Sequence, residues 1–200
     1  MSLVICPGVH EIQLTKSLLQ GLQLCASHTS VAENHSENLF IFPAQLNPAY
    51  SAFHIVQFLQ AELRRYQRNV TQTELVFLSF SAGVVGAMGA AWTWQQLGGK
   101  VKALFALDGW GVPLYGDFPI HRVSHDYFTH WSSAWLGAGA DSFFADPAVD
   151  HLDLWRSPQT AQGWWVPEDT TTQRSPTATT AAVFLTVLLK RYGESGLFVS

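Results

Sequence analysis

Short apolar runs bounded by turn residues alternate with stretches whose apolar positions recur every three or four residues, from one end of the chain to the other. The short runs have the length and composition of buried strands, and the longer stretches carry the 3.6-residue period of helices. Leu3 to Cys6 is the first run, broken by Pro7-Gly8, and Leu14, Leu18 and Leu22 mark a helix over about Gln13 to Leu24. Leu39 to Phe42 follows, stopped by Pro43. Phe53, Val56, Leu59 and Leu63 then predict an apolar stripe on a helix over about Ala52 to Tyr66, with Gln60, Glu62, Arg64 and Arg65 on its polar face. Glu74 to Phe80 predicts a buried strand, and Ala82 to Leu97 a helix closed by Gly98-Gly99, with Gly83, Gly86, Ala87 and Ala90 on its early face. Val101 to Leu107 predicts a fourth strand ending at Asp108-Gly109, His121 to Ser124 a fifth, and about Ser142 to Asp146 a sixth. Ser175-Pro176 supplies an N-cap and a first-turn proline for a last helix over about Thr177 to Tyr192, stopped by Gly193.

Strand and helix alternating in this way predict an α/β fold: a doubly wound, mostly parallel sheet of about six strands with helices on both faces. With 200 residues, 48% of them hydrophobic and 13% charged, a single domain covering residues 1–200 is expected. The only low-complexity segment is the short threonine run Thr170 to Thr172, and no internal repeat is present.

Charge and cysteine content narrow the function classes. Eleven Lys and Arg against 15 Asp and Glu leave a formal charge of −4 with no basic stripe, which excludes a nucleic-acid partner. Ala178 to Leu189 is the most apolar late stretch, about twelve residues where a bilayer needs about twenty, so no membrane span is expected. Cys6 and Cys25 form neither a disulfide framework nor a CxxC pair, and the chain opens on a strand-like LVIC rather than a signal sequence, so a reducing cytoplasm is expected. Oligomeric state is left open. Eight tryptophans and 13 phenylalanines, with Trp110, Trp131, Trp164 and Trp165 in loop-like contexts, suit either an aromatic-lined pocket or buried packing.

The segment with the most specific chemistry is Leu75-Val76-Phe77-Leu78-Ser79-Phe80-Ser81-Ala82-Gly83, a buried strand running directly into a glycine-bearing helix. It resembles the nucleophile elbow of the α/β-hydrolase fold, G-x-S-x-G, with Ser79 in place of the first glycine, Ser81 at the nucleophile and Gly83 last. A serine on such a turn holds a strained backbone conformation, and residues two positions away must be small. The helix starting at Ala82 aims free N–H groups and its positive dipole end at a reacting carbonyl. The resemblance implies a serine hydrolase of the esterase, lipase or thioesterase type that needs no cofactor. The apolar runs predict neither the two antiparallel N-terminal strands usual in that family nor a long lid insertion. Two alternatives stand beside it: a non-catalytic relative serving as a small-molecule binding or interaction module, and a doubly wound protein binding some other small ligand.

The resemblance also implies the partners. The oxyanion hole falls to the backbone N–H of Ala82 together with that of Val9 or His10, in the loop after the first strand. The family's order of serine, acid, histidine places the base after the last strand, at His151, with His125 and His130 as rivals. Asp126, after the fifth strand, is the preferred acid, and Asp108, after the fourth, is the alternative; both stand where doubly wound sheets place their ligands. His121, His125, Asp126 and His130 also raise the question of a metal, but H-E-x-x-H is absent and no metal is expected; nor is there a phosphate-binding glycine loop.

Overall fold

A computed structural model of the chain describes residues 1–24, 38–137, 139–168 and 175–193. Cys25 and the threonine run at Thr170 to Thr172 lie outside the described residues. In chain order the elements are β1 (Ser2–Cys6), α1 (Ile12–Gly21), β2 (Leu39–Ile41), α2 (Ala52–Arg65), β3 (Glu74–Phe80), α3 (Ala82–Gln96), β4 (Lys100–Leu107), β5 (Ile120–Ser124), α4 (Tyr127–Ala134), β6 (Ser142–Ala145), α5 (His151–Arg156), β7 (Gln162–Val166), β8 (Thr177–Thr180) and α6 (Ala181–Arg191), with a 3₁₀ turn at Val70–Gln72. The fold is α/β, built on one mixed sheet of eight strands in the order β2-β1-β3-β4-β5-β6-β7-β8. The pairings among β1 to β6 are all parallel, and β7 and β8 extend the sheet antiparallel.

The parallel strands are mostly apolar and bury residues on both sides because both faces of the sheet are covered. Leu3, Ile5, Val76 and Leu78 point to one side, where they meet Leu18 of α1, Trp155 of α5 and Phe184 and Leu188 of α6. Val4, Cys6, Leu75 and Phe77 point to the other, against Ile55 and Leu59 of α2 and Met88 and Trp94 of α3. Helix α3 comes unusually close to the strand ends: a Cβ at Gly83 would fall inside the carbonyl oxygens of Cys6 and Pro7, so glycine is required there. No helix among the described residues is long and apolar enough to cross a membrane.

The six strands expected from the apolar runs are all present within a residue or two, and four features depart from the expectation. The sheet has eight strands rather than six, because β7 and β8 carry no alternation to betray them: Trp164 is exposed, Trp165 half-buried, and β8 is a run of threonine and alanine. The last helix therefore starts at Ala181 instead of Thr177, and its cap is Thr180, whose hydroxyl accepts from the Val183 N–H at 3.3 Å, in place of Ser175. Helix α4, Tyr127–Ala134, stands where the apolar pattern predicts no helix. Phe53 also leaves the predicted stripe of α2; it is exposed, and Ile55 takes the buried position.

Candidate functional site

Strand register brings the chemistry together before any side chain is considered. Phe80, Leu107, Val123 and Phe143 lie in one row across β3 to β6. The next residue after that row is Ser81 on β3 and Asp108 on β4, and His125 comes two residues after it on β5. The segment leading to α5 is tied to the same edge by the hydrogen bond from the Val149 N–H to the His125 carbonyl at 3.0 Å, and His151 is the first residue of that helix. All of these groups sit at the carboxyl ends of parallel strands, where open α/β sheets bind ligands.

Ser81 has φ 52° and ψ −124°, a conformation that L-residues avoid, and its N–H is held by the Leu107 carbonyl at 2.9 Å. Small neighbours permit the turn: Ser79 is fully buried with its hydroxyl donated to the Phe105 carbonyl at 2.7 Å, and Gly83 passes against β1. Asp108 also sits at positive φ, 49°, with its N–H donated to the Val123 carbonyl at 2.8 Å.

Asp108 is the hub of the site. Its side chain is 2% exposed. One oxygen, Oδ1, accepts the His125 backbone N–H at 2.9 Å; the other, Oδ2, lies 2.7 Å from His151 Nδ1 and 3.0 Å from His125 Nδ1. A carboxylate only accepts, so both rings present Nδ1–H to it. Burial pushes the Asp108 carboxyl upward, but the hydrogen bonds from His125 and His151 outweigh it and hold the group below the ordinary carboxylate range. His125 is raised in turn, chiefly by its hydrogen bond to Asp108. The His151 ring stacks on Phe80, the residue before Ser81, with centroids 4.6 Å apart, and Phe80 is stacked on Trp155 at 5.0 Å.

Asp126, the acid preferred from the sequence, stands elsewhere. Its side chain caps α4 by accepting the Thr129 N–H at 2.6 Å, and it approaches His125 Nε2 at 3.6 Å, with no hydrogen bond to His151. The carboxylate on His151 is that of Asp108, because the register sets Asp108 beside the elbow while Asp126 is drawn into the first turn of a helix. His130 lies away from the site against Phe144, its Nδ1 buried without a partner among the described residues. His121 is inside the sheet, between the Asp141 carbonyl at 3.0 Å and the Tyr192 hydroxyl at 2.7 Å. Of the four residues first considered for a metal, His121 and His130 lie apart, Asp126 approaches His125, and only His125 borders the cleft.

The loop after β1 packs directly on the elbow: a Cβ at Gly8 would lie 3.1 Å from both the Phe80 carbonyl oxygen and the Ser81 Cβ. The Val9 side chain points to solvent, and the His10 ring packs near Phe80 and Trp155. Among the described residues no backbone carbonyl takes the N–H of Val9, His10 or Ala82, leaving these amides available. Burial, assisted by repulsion from His151, holds the His10 ring below the ordinary histidine range despite its hydrogen bond to the Glu11 carbonyl.

A cleft of about 420 Å³ collects Ser81, Asp108, His125, Thr129 and His151. Its remaining wall is apolar, made by Ala82, Val85, Trp110, Val112 and Phe128. Phe80, which backs the His151 ring, was not singled out from the sequence, and His125, named there as a rival base, was not paired with Asp108. Phe80 was legible as the x of S-x-S; nothing in the sequence pairs His125 with a residue 17 positions earlier. Comparison with known protein families and with curated proteins finds no match to this chain.

Proposed function

We propose that this protein is a serine hydrolase that cleaves an ester, thioester or related acyl bond. The observation that supports the reading most directly is the convergence in one cleft of a serine held at positive φ on a strand-to-helix turn and a histidine hydrogen-bonded through Nδ1 to a buried aspartate. In this reading Ser81 Oγ attacks the acyl carbonyl while His151 Nε2 takes the hydroxyl proton, and Asp108 stabilises the imidazolium that forms. The proton then passes from His151 to the departing alcohol or thiol, leaving an acyl-serine. Water, deprotonated by the same Nε2, releases the acid and restores Ser81. The N–H groups of Ala82 and of Val9 or His10 are the donors for the carbonyl oxygen as it gains charge. Asp108 takes the part of the acid, and Asp126 that of a helix cap. The apolar wall of Val85, Trp110, Val112 and Phe128 suits an apolar acyl or aromatic group.

The test is labelling with a fluorophosphonate, read by intact mass and peptide mapping, beside hydrolysis of a short p-nitrophenyl ester. One adduct on Ser81 is expected, absent in Ser81→Ala, with hydrolysis by His151→Ala lower by several orders of magnitude. A folded wild-type protein that takes no adduct and hydrolyses no ester defeats the reading and leaves a binding module on the same scaffold.

A further inference from the structure

A serine mechanism needs one imidazole on its carboxylate, and here there are two. His125 and His151 meet the same oxygen of Asp108, and the three donor atoms all lie within 4.8 Å of one another. We propose that Asp108, His125 and His151 form a binding site for a zinc-class divalent cation, and that the cation switches off acyl transfer when it binds. The switch rests on the hydrolase reading above, whereas the binding does not.

The spacing suits the ion. Zinc bonds of about 2.0 Å to nitrogen and oxygen at tetrahedral angles place neighbouring donor atoms about 3.3 Å apart. The two Nδ1 to Oδ2 separations, 3.0 and 2.7 Å, need open by only a few tenths of an ångström when a cation replaces the two bridging protons. The donor set of two imidazoles and one carboxylate favours zinc and its neighbours over calcium or magnesium, which take six or more oxygens.

The ligands are also held from behind. Oδ1 of Asp108 is anchored by the His125 N–H, which leaves Oδ2 directed at both rings. The Asp126 carboxylate stands 3.6 Å from Nε2 of His125, the arrangement in which a second carboxylate supports the far nitrogen of a metal-bound imidazole. The His151 ring is backed by Phe80. All three ligands border the cleft that holds Ser81, so a fourth coordination position opens to water or to a substrate oxygen.

The consequence for catalysis follows from counting protons. With Nδ1 of His151 bonded to the cation, the neutral ring carries its proton on Nε2 and has no lone pair for the Ser81 hydroxyl. Each ring gives up the Nδ1 proton it donated to Asp108, and a neutral ring bound through Nδ1 carries its one proton on Nε2. A bound cation thus removes the base while leaving Ser81 untouched.

The experiment uses protein freed of metal with EDTA and desalted. Cobalt(II) is titrated in and followed by the visible bands of a tetrahedral site, zinc is used to displace it, and zinc binding is measured by calorimetry. One equivalent is expected to bind. His125→Ala is expected to weaken binding at least about 100-fold, since even residues behind the ligands cost 10- to 100-fold, and Asp108→Ala is expected to do the same; circular dichroism checks that each is folded. Ser81→Ala should bind zinc as the wild type does. Fluorophosphonate labelling of the wild type should fall along the zinc binding curve and recover with EDTA. No binding up to millimolar zinc, or binding unchanged in folded His125→Ala, overturns the site even if labelling is normal. Binding with the expected variant pattern in a protein that never labels retains the site and defeats the hydrolase. Labelling that persists or rises at saturating zinc overturns the switch.

Discussion

The imidazole of His151 lies nearly flat on the ring of Phe80, centroids 4.6 Å apart and planes 26° from parallel. Phe80 is itself stacked on Trp155, so the ring that faces Asp108 is positioned by a column of aromatics as well as by its hydrogen bond. Phe80→Leu keeps an apolar side chain at the site and removes the flat surface. Ring stacking contributes about 0.5–1.5 kcal/mol, so ester hydrolysis should fall up to about tenfold in kcat with KM nearly unchanged. The lost volume should lower unfolding free energy by about 1–2 kcal/mol. Steady-state kinetics beside urea unfolding read both, and an unchanged kcat would show that the stack does not position the base.

Two aspartates at neighbouring strand ends should respond to substitution in opposite ways. Asp108→Asn places an amide N–H or a weaker acceptor against His151 Nδ1, and should cost about 10⁴-fold in kcat, as loss of a triad acid does. Asp126→Ala removes the acceptor for the Thr129 N–H at 2.6 Å and should lower stability by about 1 kcal/mol, with activity within about tenfold of wild type. A crippled Asp126→Ala beside a nearly normal Asp108→Asn would reverse the assignment of the acid.

Much of this arrangement was legible in the sequence, and what was missed has local causes. The central parallel strands carry apolar residues on both faces, so β1, β2 and most of β3 and β4 read as apolar runs, and the serine between Phe80 and Ala82 stands out at the end of one. Helix α4 was missed because it inverts the usual pattern: its buried residues are Thr129 and Ser133, while Tyr127, Phe128 and Trp131 are exposed. No apolar stripe marks such a helix, although Asp126 ahead of Tyr127 was a cap signal. The choice between Asp108 and Asp126 depended on which one sits beside the elbow across the sheet, a matter of register and of a positive φ at Asp108, and neither is written in residue types.

Strain at the elbow should be measurable as stability. Ser81 at φ 52° bears a cost of about 1–3 kcal/mol that glycine would not. Ser81→Gly and Ser81→Ala both remove the hydroxyl and should both abolish labelling. Ser81→Gly is expected to be the more stable of the two by about 1 kcal/mol in urea, because glycine adopts positive φ freely. Equal midpoints and slopes for the two variants would mean that the turn relaxes and stores nothing.

Acid sensitivity should centre on a histidine far from the cleft. His121 is 1% exposed, stacked on Phe105, and neutral in the arrangement its neighbours impose: Nδ1–H donates to the Asp141 carbonyl and Nε2 accepts from the Tyr192 hydroxyl. Burial, opposed only in part by the Asp141 carbonyl, lowers its pKa from 6.5 to about 4. In the unfolded chain the ring binds a proton near pH 6.5. Between these values the unfolded state binds more protons than the folded one, so stability is full above about pH 6.5 and is lost as pH falls toward 4. The loss attributable to this one group approaches the order of 3 kcal/mol at the acid end. His130, also lowered to about 4 by burial and by the Arg122 guanidinium, adds loss of the same sign. Urea unfolding from pH 7.5 to 4 should show this decline, and His121→Gln, which cannot titrate, should have a slope shallower by up to one proton across the window. Because Gln also alters the hydrogen bonds, its stability at pH 7.5 is expected to be lower, and the comparison is made on slopes alone. Parallel curves for wild type and variant would assign the acid sensitivity to other groups.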